Sequence, residues 1–173
     1  MSATGTINVI YTAEAHAKGG RDGSVKSSDG NIDMLIKPPR ELGGPDVQAT
    51  NPEQLFAAGY GACFLSAVSL LARLQKISAK EFTVDCKVDL GAQEDGSFDI
   101  AAHLDTHLPG IERDRAHALV RSAHKRCPYS RATRGNIEVE ILVAGEALDE
   151  EAAERGSAAA RAEREAAKAA ESA

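Results

Sequence analysis

The stretch NPEQLFAAGYGACFLSAVSLLARL, Asn51 to Leu74, decides the fold of this 173-residue chain. Asn51 offers a side-chain acceptor where a helix N-cap belongs. Pro52 takes the first helical position, where a missing N–H costs nothing, and Gln54 falls where a capping-box partner belongs. The spacing predicts a helical region over 52–74. Leu55, Phe56, Tyr60, Phe64, Leu65, Val68, Leu70 and Leu71, with alanines between them, make it apolar on nearly every side. That is the pattern of a helix buried at the centre of a fold. Glu53 at one end, Arg73 and Gln75 at the other, and two internal glycines favour burial over a membrane span. Cys63 sits at its middle, either as a small core hydrophobe or as the reason for the arrangement. Gly59 and Gly61 weaken the core-filler reading, because a glycine inside a helix costs about 1 kcal/mol relative to alanine and marks a close approach.

Upstream, residues 6–17 alternate Ile7, Val9, Tyr11 and Ala13 against polar neighbours, the period of a half-buried strand. Two turns, Gly19–Gly23 and Ser28–Gly30, separate it from a short strand around Val25 and a clearer one over 32–37, a meander of about three strands. Pro38-Pro39 ends the last, and a loop leads to Asn51. Downstream, residues 81–90 alternate strictly, with Phe82, Val84, Cys86, Val88 and Leu90 on one face. Asp95-Gly96 turns the chain into a returning strand from Phe98 towards Leu108. Glu112 to Arg126 has acids first and bases last, matching the helix dipole, with Ala116, Leu119, Val120 and Ala123 as its apolar stripe. Residues 127–135 read as a loop or a broken helical turn, and 136–143 as a final strand. The order βββ–α–ββ–α–β, joined by hairpins, is an α+β fold with mostly antiparallel sheet. Residues 1–144 form the domain. From Gly145 the chain turns to Ala, Glu and Arg with no large apolar residue after Leu148, so residues 145–173 read as a helical or disordered tail without a face to dock.

The net charge is −6, and eight acids against four bases from Gly145 onward leave −2 for residues 1–144. With no basic cluster interleaved with aromatics, this argues against a nucleic-acid-binding surface. The N-terminal stretch MSATGTINVIYTAEAHA has neither a basic n-region nor a continuous apolar h-region. Three cysteines without a secretory signal point to a reducing compartment, so a cytoplasmic protein with no membrane association is expected. Cys86, on the apolar face of a strand, reads as packing. Cys127 is different: it follows His124-Lys125-Arg126 at a helix end and precedes a proline, where basic neighbours would favour its thiolate. A reactive thiolate needs a cation, and reversible oxidation needs a second thiol. Arg21 in its glycine-rich turn could supply the first, and Cys63 with Cys127 the second. Glu53 reads either as an acid favoured by a helix N-terminus or as part of that site. His124-x-x-Cys127 supplies only two metal ligands, and no second pair has zinc-like spacing, so no metal is expected.

Four segments, GGRDG (19–23), ELGG (41–44), NPEQLFAAGYGACF (51–64) and CPYSRATRGNIEV (127–139), closely resemble the organic hydroperoxide resistance proteins of the Ohr/OsmC family. The resemblance runs in register from about Tyr11 to Val143. It implies an intertwined homodimer, with sheets wrapped around central helices and active sites at the interface. It also implies catalytic roles for four residues: Cys63 as the peroxidatic thiol, Cys127 as the resolving thiol, and Arg21 and Glu53 as the catalytic arginine and glutamate. The reaction implied is reduction of an organic hydroperoxide through a Cys63 sulfenic acid and a Cys63–Cys127 disulfide. No cofactor is bound; the reductant implied is an external dithiol, typically a dihydrolipoyl group on a lipoylated protein. Phe56 and Phe64 suit an alkyl or fatty-acyl hydroperoxide. The alternatives are the osmotically inducible OsmC-type branch with the same chemistry, and a non-catalytic carrier of an apolar ligand. One expectation comes from geometry alone. Ten residues of unbroken helix separate Glu53 from Cys63 by about 15 Å along the axis. Either the helix breaks near Gly59–Gly61, or these two residues meet across two chains, or both.

Overall fold

A computed structural model describes residues 7–171 and divides the chain into two compact units, one ending at Leu55 and the other starting at Phe56. The first unit is a meander of three antiparallel strands, β1 (Ala15–Lys18), β2 (Gly23–Ser27) and β3 (Asp33–Ile36), in the order β1-β2-β3. The strand expected over 6–17 is shorter than its pattern. Thr6 lies outside the described residues, and residues 7–14 carry no regular structure. Ile7, Val9 and Tyr11 alternate correctly but are 79%, 64% and 78% exposed, because among the described residues no strand pairs with them. A strand needs a ladder partner as well as a pattern. The loop after β3 contains one 3₁₀ turn, Arg40–Leu42, and its Thr50 bridges to Ile36 before the helix begins.

Helix α1 (Pro52–Leu74) starts as the sequence predicts, with the Asn51 side chain accepting from the Gln54 N–H at 2.8 Å. The Gln54 side chain accepts from the Thr50 hydroxyl instead of closing a reciprocal capping box. The helix is continuous, so the break considered at Gly59–Gly61 does not occur. Nor is it buried on every side. Tyr60, Phe64, Val68, Leu71 and Ala72 face inward, whereas Ala58, Ala62, Leu70 and Leu74 are exposed.

The second unit holds a four-stranded sheet in the order β4 (Thr83–Ala92), β5 (Phe98–His107), β6 (Val139–Val143) and β7 (Glu146–Ala147). β4 and β5 form the expected hairpin. β5 and β6 run parallel because α2 (Arg113–Arg126) and α3 (Pro128–Thr133) carry the chain back between them. One core joins Tyr60, Phe64 and Val68 of α1, Leu104 of β5, and Leu119 and Val120 of α2, each without solvent exposure. Burying each side chain contributes roughly 1.5–3 kcal/mol.

The tail is helical, one of the two expected alternatives, but it is docked, contrary to expectation. It forms α4 (Glu150–Glu171), and the first part of this helix docks on α2 through Ala152, Ala153, Gly156 and Ala160, all buried. The docking face consists of small residues, which a search for large apolar side chains passes over.

Candidate active site

The first unit positions Arg21 and Glu53. Arg21 lies in the β1–β2 turn, where Gly19 (φ +78°) and Gly20 (φ +59°) take left-handed backbone conformations that L side chains rarely adopt. Gly23 closes that turn so tightly that a Cβ would stand 1.8 Å from the Lys18 carbonyl oxygen. Arg21 Nη1 donates to Glu53 Oε2 at 2.9 Å and Nη2 donates to Oε1 at 2.6 Å. This is a two-pronged match between a planar fork and a carboxylate. The Glu53 side chain is 15% exposed, in the first turn of α1, and the Arg21 guanidinium holds its carboxyl below the usual carboxylate range against partial burial. The pairing also raises the Arg21 pKa. Among the described residues its other N–H donors have no partner, so they can serve an oxygen ligand.

The second unit positions the thiols. Cys63 lies on α1, half-buried, and Cys127 is fully buried as the C-cap of α2 and the N-cap of α3. Their sulfurs are 3.5 Å apart and unbonded. A disulfide at about 2.05 Å therefore needs an approach of only about 1.5 Å. Burial pushes the Cys63 thiol up, while the Tyr129 backbone N–H, aimed at its sulfur, pulls it down. Among the described residues, no cation of the same unit acts on it. In this unit alone the thiol is placed for disulfide chemistry but not activated as a nucleophile.

Close packing explains both glycines of the helix. A Cβ on Gly59 would meet the Tyr129 hydroxyl at 3.2 Å, and one on Gly61 would meet the Cys86 Cβ at 3.2 Å. Gly59 lets the short helix carrying Cys127 and Tyr129 approach α1, and Gly61 lets β4 approach it. Tyr60, fully buried, donates from its hydroxyl to Ser130 Oγ at 3.0 Å and pins α3 to α1. Phe56, Tyr60, Phe64 and Tyr129 form a chain of ring contacts, with centroids 5.8–6.5 Å apart. Sequence reasoning missed Tyr60, Tyr129 and Ser130 as parts of the site. Their place inside the GYG and CPYS segments was the available signal.

The structure thus joins Arg21 to Glu53, and Cys63 to Cys127. Cys86 belongs to neither pair; it packs at the α1–β4 approach, and burial raises its thiol pKa. The His124 ring lies 6.5 Å from that of Phe64 and is kept neutral by burial. Among the described residues, no group of three or more His, Cys, Asp or Glu could hold a metal ion.

Comparison with known proteins follows the same residues. A family model described as OsmC-like protein matches residues 43–142. An organic hydroperoxide resistance protein of Xanthomonas axonopodis pv. citri is 47% identical over 137 residues, which cover 79% of this chain and 96% of that protein. A crystal structure of an organic hydroperoxide resistance protein from Legionella pneumophila is 46% identical with a TM-score of 0.74, covering 79% of this chain and 98% of that one. One from Elizabethkingia anophelis is 44% identical with a TM-score of 0.76, covering 81% and 100%. The chain therefore belongs to the Ohr/OsmC family, among relatives named organic hydroperoxide resistance proteins.

Proposed function

We propose that this protein is a thiol-dependent peroxidase that reduces organic hydroperoxides. The observation that carries the reading is the 3.5 Å separation of the Cys63 and Cys127 sulfurs, one accessible and one buried. The Cys63 thiolate attacks the distal peroxide oxygen and the O–O bond breaks. The alkoxide takes up a proton to leave as the alcohol, and Cys63 becomes a sulfenic acid. Cys127 then attacks the Cys63 sulfur, a disulfide forms and water leaves. A dithiol restores both thiols by exchange. A dihydrolipoyl group on a lipoylated protein suits this, because its second thiol closes a ring and drives release. No bound cofactor is required, and regeneration by dithiol exchange suits a reducing, cytoplasmic setting.

Activation of Cys63 requires a cation, and the Arg21–Glu53 pair has the right form: a fixed guanidinium with free donors that can stabilise the thiolate and orient the peroxide oxygens. With α1 continuous, Glu53 and Cys63 of one chain are about 15 Å apart along its axis. The complete site accordingly uses the Arg21–Glu53 pair of one copy with the thiols of another. The unpaired alternating segment at residues 7–11 and the exposed apolar residues of α1 support an intertwined homodimer. The aromatic chain from Phe56 to Tyr129 favours alkyl or fatty-acyl hydroperoxides over hydrogen peroxide.

Stopped-flow mixing of the reduced protein with cumene hydroperoxide and with hydrogen peroxide tests the reading. The organic peroxide is expected to oxidise Cys63 at least about tenfold faster, equivalent to roughly 1.4 kcal/mol of apolar binding in the transition state. Equal rates, or no reaction above that of the unfolded protein, would refute it.

A further inference from the structure

We infer that the C-terminal helix α4 is a positioning element for the resolving thiol, an inference that rests on the peroxidase reading above. The relatives align over about four-fifths of this chain but nearly all of their own length, and the sequence resemblance ends near Val143. α4 lies beyond that point, and it packs along α2, the helix that ends at Cys127.

The contact is close and specific. Gly156 crosses α2 where a Cβ would stand 2.1 Å from the Asp114 carbonyl oxygen. Arg155 grips the Asp114 carboxylate with two donors, at 2.6 and 3.1 Å. Arg121, only 15% exposed, reaches from α2 to Glu150, Ser157 and the Ala153 carbonyl. Near its start α4 is tied to α2 again, as the Asp149 N–H donates to His117 Nδ1 at 3.1 Å. α2 is therefore gripped along successive turns, from Asp114 to Arg121. Its far end presents Cys127 to Cys63 at 3.5 Å.

Resolution joins the Cys127 sulfur, as its S–H bond breaks, to the Cys63 sulfenic sulfur. The S–OH bond breaks, and the hydroxide leaves with the thiol proton as water. This step is sensitive to how well α2 holds its last residue, because a misplacement of about 1 Å can cost a reaction as much as 100-fold. Peroxide attack on Cys63, which sits on α1, does not depend on α4.

Gly156→Ala separates the two steps. Alanine strengthens the helix itself, but its Cβ cannot fit over Asp114. A second variant, Arg155→Glu, opposes Asp114 without altering the backbone. In the full-length protein, both are expected to show reduced hydrogen-exchange protection in residues 150–160. Both should form sulfenic acid at the wild-type rate and close the Cys63–Cys127 disulfide about tenfold more slowly. They should also accumulate sulfinic acid at lower peroxide concentration, while the Asp114→Arg/Arg155→Asp swap recovers fast closure. Unchanged closure in variants whose α4 has lost protection would overturn the inference, as would unchanged protection in Gly156→Ala. Failure of the wild-type protein to form the disulfide at all would instead refute the peroxidase reading.

Discussion

Arg21 carries a testable asymmetry at the scale of single residues. Burial, and then the neighbouring Cys127 thiol, push the Cys63 thiol up, and the Tyr129 backbone N–H opposes them. If the Arg21 fork completes the site, it lowers that pKa in the assembled protein. Arg21→Met is then expected to move the pH midpoint of Cys63 alkylation upward and to slow peroxide oxidation by about tenfold or more, since an ion-paired hydrogen bond is worth roughly 1.5–3 kcal/mol. Arg21→Lys should recover little, because an ammonium cannot engage Glu53 with one hand and an oxygen with the other in the same plane. An unchanged midpoint in alkylation kinetics of Arg21→Met would place the cation elsewhere. Generic thiol chemistry picks out Cys63, Cys127 and Arg21 as candidates, and only the resemblance gives all four site residues their roles. On generic chemistry Glu53 was equally a helix-end acid, and nothing in the spacing between positions 21 and 53 foretold a two-pronged ion pair.

Two histidines make opposite predictions at the scale of elements. His103 on β5 contacts Glu140 of β6 at 2.7 Å and Asp89 of β4 at 2.8 Å, and these carboxylates raise its pKa. Its folded pKa exceeds the unfolded value of about 6.5, so its contribution is full below that pH and is lost as pH rises through the raised value. His117, 1% exposed, is held neutral by burial so that it can accept from the start of α4. Its folded pKa lies below the unfolded one, so its contribution is present above about pH 6.5 and is lost as pH falls through the lowered value. Denaturant titrations across pH 5–8 should show His103→Gln flattening the alkaline decline and His117→Gln flattening the acid decline. The same slope in either variant as in wild type would contradict the assignment. The glycines of α1 also differ. In Gly59→Ala the obstacle is a movable tyrosine ring, and stability is expected to change by less than about 1 kcal/mol. In Gly61→Ala it is a Cβ fixed to β4, so thermal melting should show the larger loss, by about 1–3 kcal/mol. Elements with local signatures were legible: the Asn51 cap, the β4 alternation and the α2 stripe all stand as read. The docking of α4 was not, because it is built from alanine and glycine facing a specific backbone groove. The parallel β5–β6 pair was missed because it depends on where α2 returns the chain.

At the scale of the whole molecule, one chain leaves its central helix half finished. α1 is long and apolar enough to cross a membrane by composition, yet only 33% of its most apolar window is buried within the chain. Leu70 and Leu74 are 46% and 62% exposed, and Ile7 and Ile10 are 79% and 94% exposed. Apolar surface on this scale is what the proposed dimer would cover. Light scattering is expected to report a dimer, and Ala62→Glu on the exposed face of α1 to weaken it and slow Cys63 oxidation together, if a second copy supplies Arg21 as proposed. A dimer-deficient variant with full activity would confine the site to one chain. The sequence predicts a helix buried all round, and the single chain buries only one side of it.

The central claim is that Cys63 and Cys127 work as one two-electron unit, and a thiol count tests it most directly. Reduced protein is mixed with one equivalent of cumene hydroperoxide per chain, free thiols are titrated, and the product is mapped by mass spectrometry. The account predicts loss of two thiols for each alcohol formed, a disulfide between Cys63 and Cys127 with Cys86 still free, and no loss in Cys63→Ser. Loss no faster than in the unfolded chain, or a disulfide that includes Cys86, would contradict it.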